Sequence, residues 1–138
     1  MLLADVVAAW RAVAATSART RKVAVLADTL RTATADEAAV VVPWLSGELR
    51  QRRTGIGWAV LRDAPAPAGT PSLRVAEVDA TFERVAGLSG AGSSGERRRV
   101  VHDLFARATE HFGRGGSISD NGSHRRIRRE LRLLGDIG

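Results

Sequence analysis

Cysteine is absent from this chain, which excludes disulfides and thiolate metal ligands and leaves nothing to suggest an oxidising compartment. Histidine is scarce, and His102, His111 and His124 are too scattered to suggest a metal site. Lysine is scarcer still: Lys22 stands alone. No apolar run approaches the roughly 20 residues of a membrane-spanning helix, so no membrane partner is expected. The opening residues carry Asp5 and no basic run, a poor match to a secretory signal, and the expected location is the cytoplasm.

What the chain has is arginine. Its 138 residues have room for one domain around one core, and its net charge is +6 with twenty arginines beside the single lysine. The charge is uneven: +1 over residues 1–44, +3 over 45–62, −2 over 63–94 and +4 over 95–138. Such a surface attracts polyanions without reading base sequence. A GC-rich genome also favours arginine over lysine, so charge supports nucleic acid only modestly.

One arginine cluster lies inside VPWLSGELRQRRTGIGWAVL, residues 42–61, the stretch around which the chain is organised. Trp44 and Trp58 bracket a turn-rich segment with Arg50, Gln51, Arg52 and Arg53, followed by Gly55 and Gly57. Indoles bury large apolar areas and usually find an acceptor for their N–H, so both tryptophans are expected to pin the segment to a core. Guanidinium groups beside glycines suit a phosphate-contacting surface. A solvated helix C-terminus, with basic side chains offsetting the dipole, accounts for the same residues.

Around that patch the pattern is helical. Leu3, Val6, Val7 and Trp10 fall at helical spacing within residues 2–15. Thr16 and Ser17 then offer caps for a second helix with a stripe of Val23, Leu26, Ala27 and Leu30. Arg19, Arg21 and Lys22 crowd its first turn, against the dipole, which hints at an external anion. Thr34 to Glu37 starts a third helix, through the β-branched run Val40–Val42 to Pro43, where a fresh turn or a kink is expected. WAVLRDA, residues 58–64, reads as a short helix. The proline-rich stretch over 63–74 reads as an exposed loop with polyproline character. Val75, Val78, Phe82, Val85 and Ala86 align on a further helix. The loop Gly87–Glu96, with Ser89, Gly90, Gly92, Ser93 and Ser94, opens a helix predicted over 97–109 that begins with Arg97, Arg98 and Arg99. Free amides and hydroxyls there suit an anion. A plain helix connector capped by Ser93 or Ser94 is the competing reading. No Gly-Lys-Ser/Thr follows, so nucleoside triphosphate binding is unsupported. An offset of 75 residues places TLRTAT, residues 29–34, on LFARAT, residues 104–109, a weak sign of two related helical units.

No pattern for catalysis stands out. His102 and Asp103 adjoin, but consecutive helix residues point apart, and Ser46 lacks the Gly-x-Ser-x-Gly setting of a nucleophile elbow.

The runs SARTRKVAVLADTLRTAT, WLSGELRQRRTGIGWAVL and VAEVDATFERVAGLSGAGSSGERRRVVHDLFARATE resemble, in that order, the N-terminal region of ATP-dependent DNA ligases of the bacterial, actinobacterial type. The resemblance covers about residues 1–110. Its most specific pieces are WLSGELRQ followed by GIGW, and EVDATF followed by GLSGAGSS. It implies an all-helical DNA-binding domain that holds nicked duplex through the minor groove and phosphates and feeds it to a separate nucleotidyltransferase core. The DNA-facing surfaces it implies are Arg50 to Gly57 and Ser89 to Arg98. It departs from the family in two ways. The adenylation motif Lys-x-Asp-Gly is missing, since Lys22 precedes Val23-Ala24-Val25. ATP and Mg would therefore belong to a catalytic domain that this chain lacks, and the chain itself needs no cofactor. After residue 110 the family continues with an apolar helix and a second GELRQG-like turn, whereas HFGRGGSISDNGSH stands here and Glu130-Leu131-Arg132 is a faint echo.

The resulting expectation is an all-α, two-lobed helical bundle with lobes over about 1–62 and 75–110. Its second lobe would be incomplete. An atypical basic tail over 111–138 either forms a short helix on Ile127, Leu131 and Leu134 or stays disordered until it meets an anion. The expected partner is double-stranded or nicked DNA, alone or beside a separate ligase catalytic chain, with no ligation by this chain itself. Two alternatives stay open: a helical protein-interaction module using the Trp44/Trp58 surface, and a truncated or frame-shifted ligase remnant without function.

Overall fold

A computed structural model describes residues 1–46, 48, 50–51, 54–56, 60, 65–66 and 68–108. Among these it is all-helical: α1 (Leu3–Ala14), α2 (Arg19–Arg31), α3 (Ala35–Leu45), α4 (Val75–Ala86) and α5 (Ser93–Arg107), with no strand. The expected helix over 58–64 lies, Val60 apart, outside the described residues, as does the tail 111–138.

The apolar spacing read from the sequence sets what each helix buries. Leu3, Val6 and Ala9 of α1, Val40, Val41 and Trp44 of α3, and Val75, Val78, Phe82 and Val85 of α4 turn inward. Val100, Val101 and Leu104 of α5 join them, with Ile56 and Leu73 from the connections. Residues from both halves of the chain thus share one core, and α3 packs on α4 across it. A two-lobed arrangement is compatible with this, α1 lying against α2 and α4 against α5.

Helix starts are fixed locally. Thr34 caps α3: its hydroxyl accepts from the Glu37 amide at 3.2 Å, and Glu37 Oε2 accepts from the Thr34 amide at 2.9 Å, a reciprocal capping box. The other Glu37 oxygen receives the Met1 ammonium at 2.6 Å. This hydrogen bond, with the Thr34 amide, holds the Glu37 carboxyl below the usual carboxylate range. The Val40–Val42 run is helical, and α3 continues two residues past Pro43 before Ser46 and Glu48 donate their amides to the Pro43 carbonyl at 3.0 and 2.9 Å.

Three expectations need correction. The N-cap of α2 is Ala18, not Thr16 or Ser17; the Thr16 hydroxyl instead accepts from the Ala18 amide at 3.2 Å. The α2 stripe is only partly covered: Val23 is 58% exposed, Leu26 and Ala27 are half-buried, and Leu30 alone of the four packs against the core, because α2 lies chiefly along α1. Finally, α5 begins at Ser93 rather than Arg97. Gly92, at φ +79°, turns the chain, and Ser93 and Ser94 are its first helical residues rather than caps. The stretch before α4 is also less free than its prolines suggest. Leu73 is buried, its carbonyl accepts from the Leu3 amide at 2.8 Å, and Val75 donates to the Met1 carbonyl at 3.1 Å. Further back, Ala68 donates to the Ala108 carbonyl at 2.7 Å.

Candidate nucleic-acid interface

The turn after α3 is held down by polar contacts as well as by Trp44. Trp44 is 2% exposed, as its indole predicts, yet its Nε1 has no acceptor among the described residues. Past it, Arg50 reaches α4: its Nε donates to Asp79 Oδ1 at 3.2 Å, and its Nη2 donates to Oδ2. Gln51 Nε2 donates to the same Asp79 Oδ1 at 2.9 Å and to Glu83 Oε2 at 3.0 Å. Hydrogen bonding to Asp79, and then its charge, pushes the Arg50 guanidinium above its ordinary value. Thr54 is buried, and its hydroxyl accepts from the Ile56 amide at 3.4 Å, shaping the bend into which Ile56 inserts.

Gly55 occupies that bend at φ +68°. A Cβ built there would lie 3.0 Å from Cζ of Arg97, so the Arg97 guanidinium rests directly on the Gly55 backbone. Arg97 Nη2 donates to the Leu88 carbonyl at 3.1 Å, and its Nε is buried without an acceptor among the described residues. The two segments singled out by the sequence therefore meet at one arginine of α5.

Gly90 and Gly92 adopt φ of +83° and +79° on the surface, where a Cβ would meet nothing. Ser89 and Ser94 are exposed, and Ser93 is half-buried with its amide directed to the Gly90 carbonyl at 3.3 Å. Ser94 and Gly95, the next residues of α5, are exposed, as is Arg98 one turn on, and the positive end of a helix favours an anion. Glu96 tempers this field. It receives Arg84 at 2.7 Å and Arg99 at 2.6 Å, and the Arg99 hydrogen bond holds its carboxyl below the usual range. Arg52, Arg53, Gly57 and Trp58 lie outside the described residues. His102 sits at the edge of the core, its Nε2 2.8 Å from the Val60 carbonyl. Among the described residues no group of three or more His, Asp or Glu side chains converges as a metal site, and no helix is long and apolar enough to cross a membrane.

Sequence comparison places this arrangement in context. The chain is 61% identical over 112 residues to a probable DNA ligase of Kineococcus radiotolerans, and 56% identical over 110 residues to one of Beutenbergia cavernae. It is 49% identical over 112 residues to DNA ligase B of Mycobacterium tuberculosis. The chain is homologous to a region of DNA ligases. About 80% of its length takes part in each match, and it spans 22% of the length of those ligases. No family profile matches the chain, and no solved structure does.

Within this ligase-related chain, sequence reasoning missed Asp79, Glu83 and Thr54. Asp79 carried a usable signal. It lies four residues after Val75 and three before Phe82, on the helix face that the apolar spacing turns inward. A carboxylate on that face needs a cation to be tolerated, and Arg50 is that cation.

Proposed function

We propose that this chain is the DNA-binding region of an ATP-dependent DNA ligase, equivalent to the N-terminal part of such enzymes. It would be an all-helical clamp for double-stranded or nicked DNA in repair, replication and recombination. Affinity comes from arginine–phosphate contacts and from backbone amides at the start of α5, a mode that is indifferent to base sequence. Ligation, with its ATP and Mg, belongs to a catalytic domain or separate ligase chain, and the setting is the cytoplasm. The observation that carries this reading is the seat of Arg97 on Gly55, which brings the bend at Gly55 against the helix that follows the glycine- and serine-rich loop. Homology to proteins named DNA ligase supports it.

The test is binding of the 138-residue chain to a labelled nicked duplex and to its intact counterpart across a salt series. Binding should weaken linearly in log–log form, by roughly 0.9 per phosphate neutralised, and be stronger at the nick. Replacing Arg50, Arg52 and Arg53 together with Ala should weaken it, and the Arg52→Ala, Arg53→Ala pair, which leaves the Arg50–Asp79 contact intact, should weaken it with the helix content unchanged. A cooperatively folded chain that fails to bind DNA at low salt would overturn the reading.

A further inference from the structure

Asp79 combines features that a solvated acid does not need. It is buried on α4, its side chain is 12% exposed, and it binds the two residues that begin the arginine turn. The way it binds Arg50 matters most. A guanidinium has five N–H donors arranged along its edges. Asp79 takes the side edge, made by Nε and one N–H of Nη2. The end edge, made by Nη1 and the second N–H of Nη2, is a complete bidentate fork of the kind that fits a phosphate. The Arg50 side chain is 47% exposed, so solvent and ligands reach it. Gln51, tied to Asp79 and Glu83, fixes the chain direction on the other side of the same turn. The carboxylate thereby restricts a side chain that would otherwise lose its rotamer freedom on binding.

We propose that Asp79 is a positioning residue of the DNA interface, which holds Arg50 by its side edge and presents its end edge to a backbone phosphate. This rests on the DNA-binding reading above and adds a residue that does not touch DNA. It makes a prediction of opposite sign to simple electrostatics. Removing a carboxylate from a DNA-binding surface raises its positive charge, which by itself tightens binding. If Asp79 positions Arg50, its removal weakens binding despite the gained charge.

The experiment is duplex binding by the full chain and three variants, Asp79→Asn, Arg50→Lys and the double variant, with cooperative unfolding checked for each. Asp79→Asn should lose roughly tenfold in affinity, the scale of one charge-assisted contact. Arg50→Lys keeps the charge but lacks the fork, and should lose a similar factor. In the Arg50→Lys background, Asp79→Asn should cause no further loss and should tighten binding through its added charge. Equal or tighter binding by folded Asp79→Asn would overturn the proposal while leaving the DNA reading standing. If Asp79→Asn does not fold, unchanged affinity in Arg50→Lys would overturn it by itself. Absence of binding by the unaltered chain would remove the DNA reading, and this inference with it.

Discussion

At the scale of single residues, Gly55 shows how one position serves both conformation and contact. Its φ of +68° is a region that L side chains rarely enter, and Arg97 covers the place a Cβ would take. Gly55→Ala should therefore lower stability by about 1–2 kcal/mol from the backbone term alone, with any shift of Arg97 added. Gly69 makes the contrast, since it has no positive φ and open space around it. Gly69→Ala should be neutral or stabilise by about 0.4–1 kcal/mol, through the unfolded chain. Urea unfolding of the two variants separates them. The glycine at 55 was visible in the sequence as part of a turn; its neighbour was not, because Arg97 is 42 positions away and nothing local pairs them. Asp79 lies between these cases: its place on an apolar face was legible, but the identity of its cation was not.

At the scale of elements, burial divides helices that look alike in sequence. Both α2 and α4 carry apolar residues at helical spacing, yet α4 buries Val78, Phe82 and Val85 almost completely and α2 buries none of its side chains. Phe82→Ala should cost about 3–5 kcal/mol through lost contacts and the cavity left behind. Val23→Ser on α2 should stay within about 0.5 kcal/mol, as exposed positions do. Thermal or denaturant unfolding of both variants is the check. Periodicity located these helices well, with α4 found at its true bounds, because apolar spacing is a local property. How deeply a stripe is buried depends on the layers beyond it, which spacing alone does not encode. The start of α5 departs from the sequence pattern for a related reason: Gly95 and two serines read as loop, but Gly92 at φ +79° closes the turn early enough for all three to join the helix.

At the scale of the whole molecule, three carboxylates tie distant parts of the chain together, and each is held below its ordinary value. Glu37 receives the Met1 ammonium, Glu77 receives Arg107 at 3.0 Å and the Arg74 amide at 2.9 Å, and Glu96 receives Arg99 and Arg84. A depressed carboxyl binds fewer protons in the folded state than in the unfolded one. Its stabilisation is present above the unfolded value, near 4.5, and is lost as pH falls through the lower folded value. The urea midpoint should accordingly change little from these groups between pH 7 and 5.5 and drop below about pH 4.5, with added salt shrinking the drop. The main-chain bonds that join Leu3 to Leu73 and Val75 to Met1 have a different consequence. They sew the first helix to the last residues before α4, so those two amides can meet solvent only when the shared core opens. α2 lies chiefly along α1 and touches the core through Leu30 near its end, so the amides of its first turns can open while the core stays shut. Hydrogen exchange divides such a molecule into two tiers, a core that releases its protons only with global unfolding and an outer helix that frays on its own.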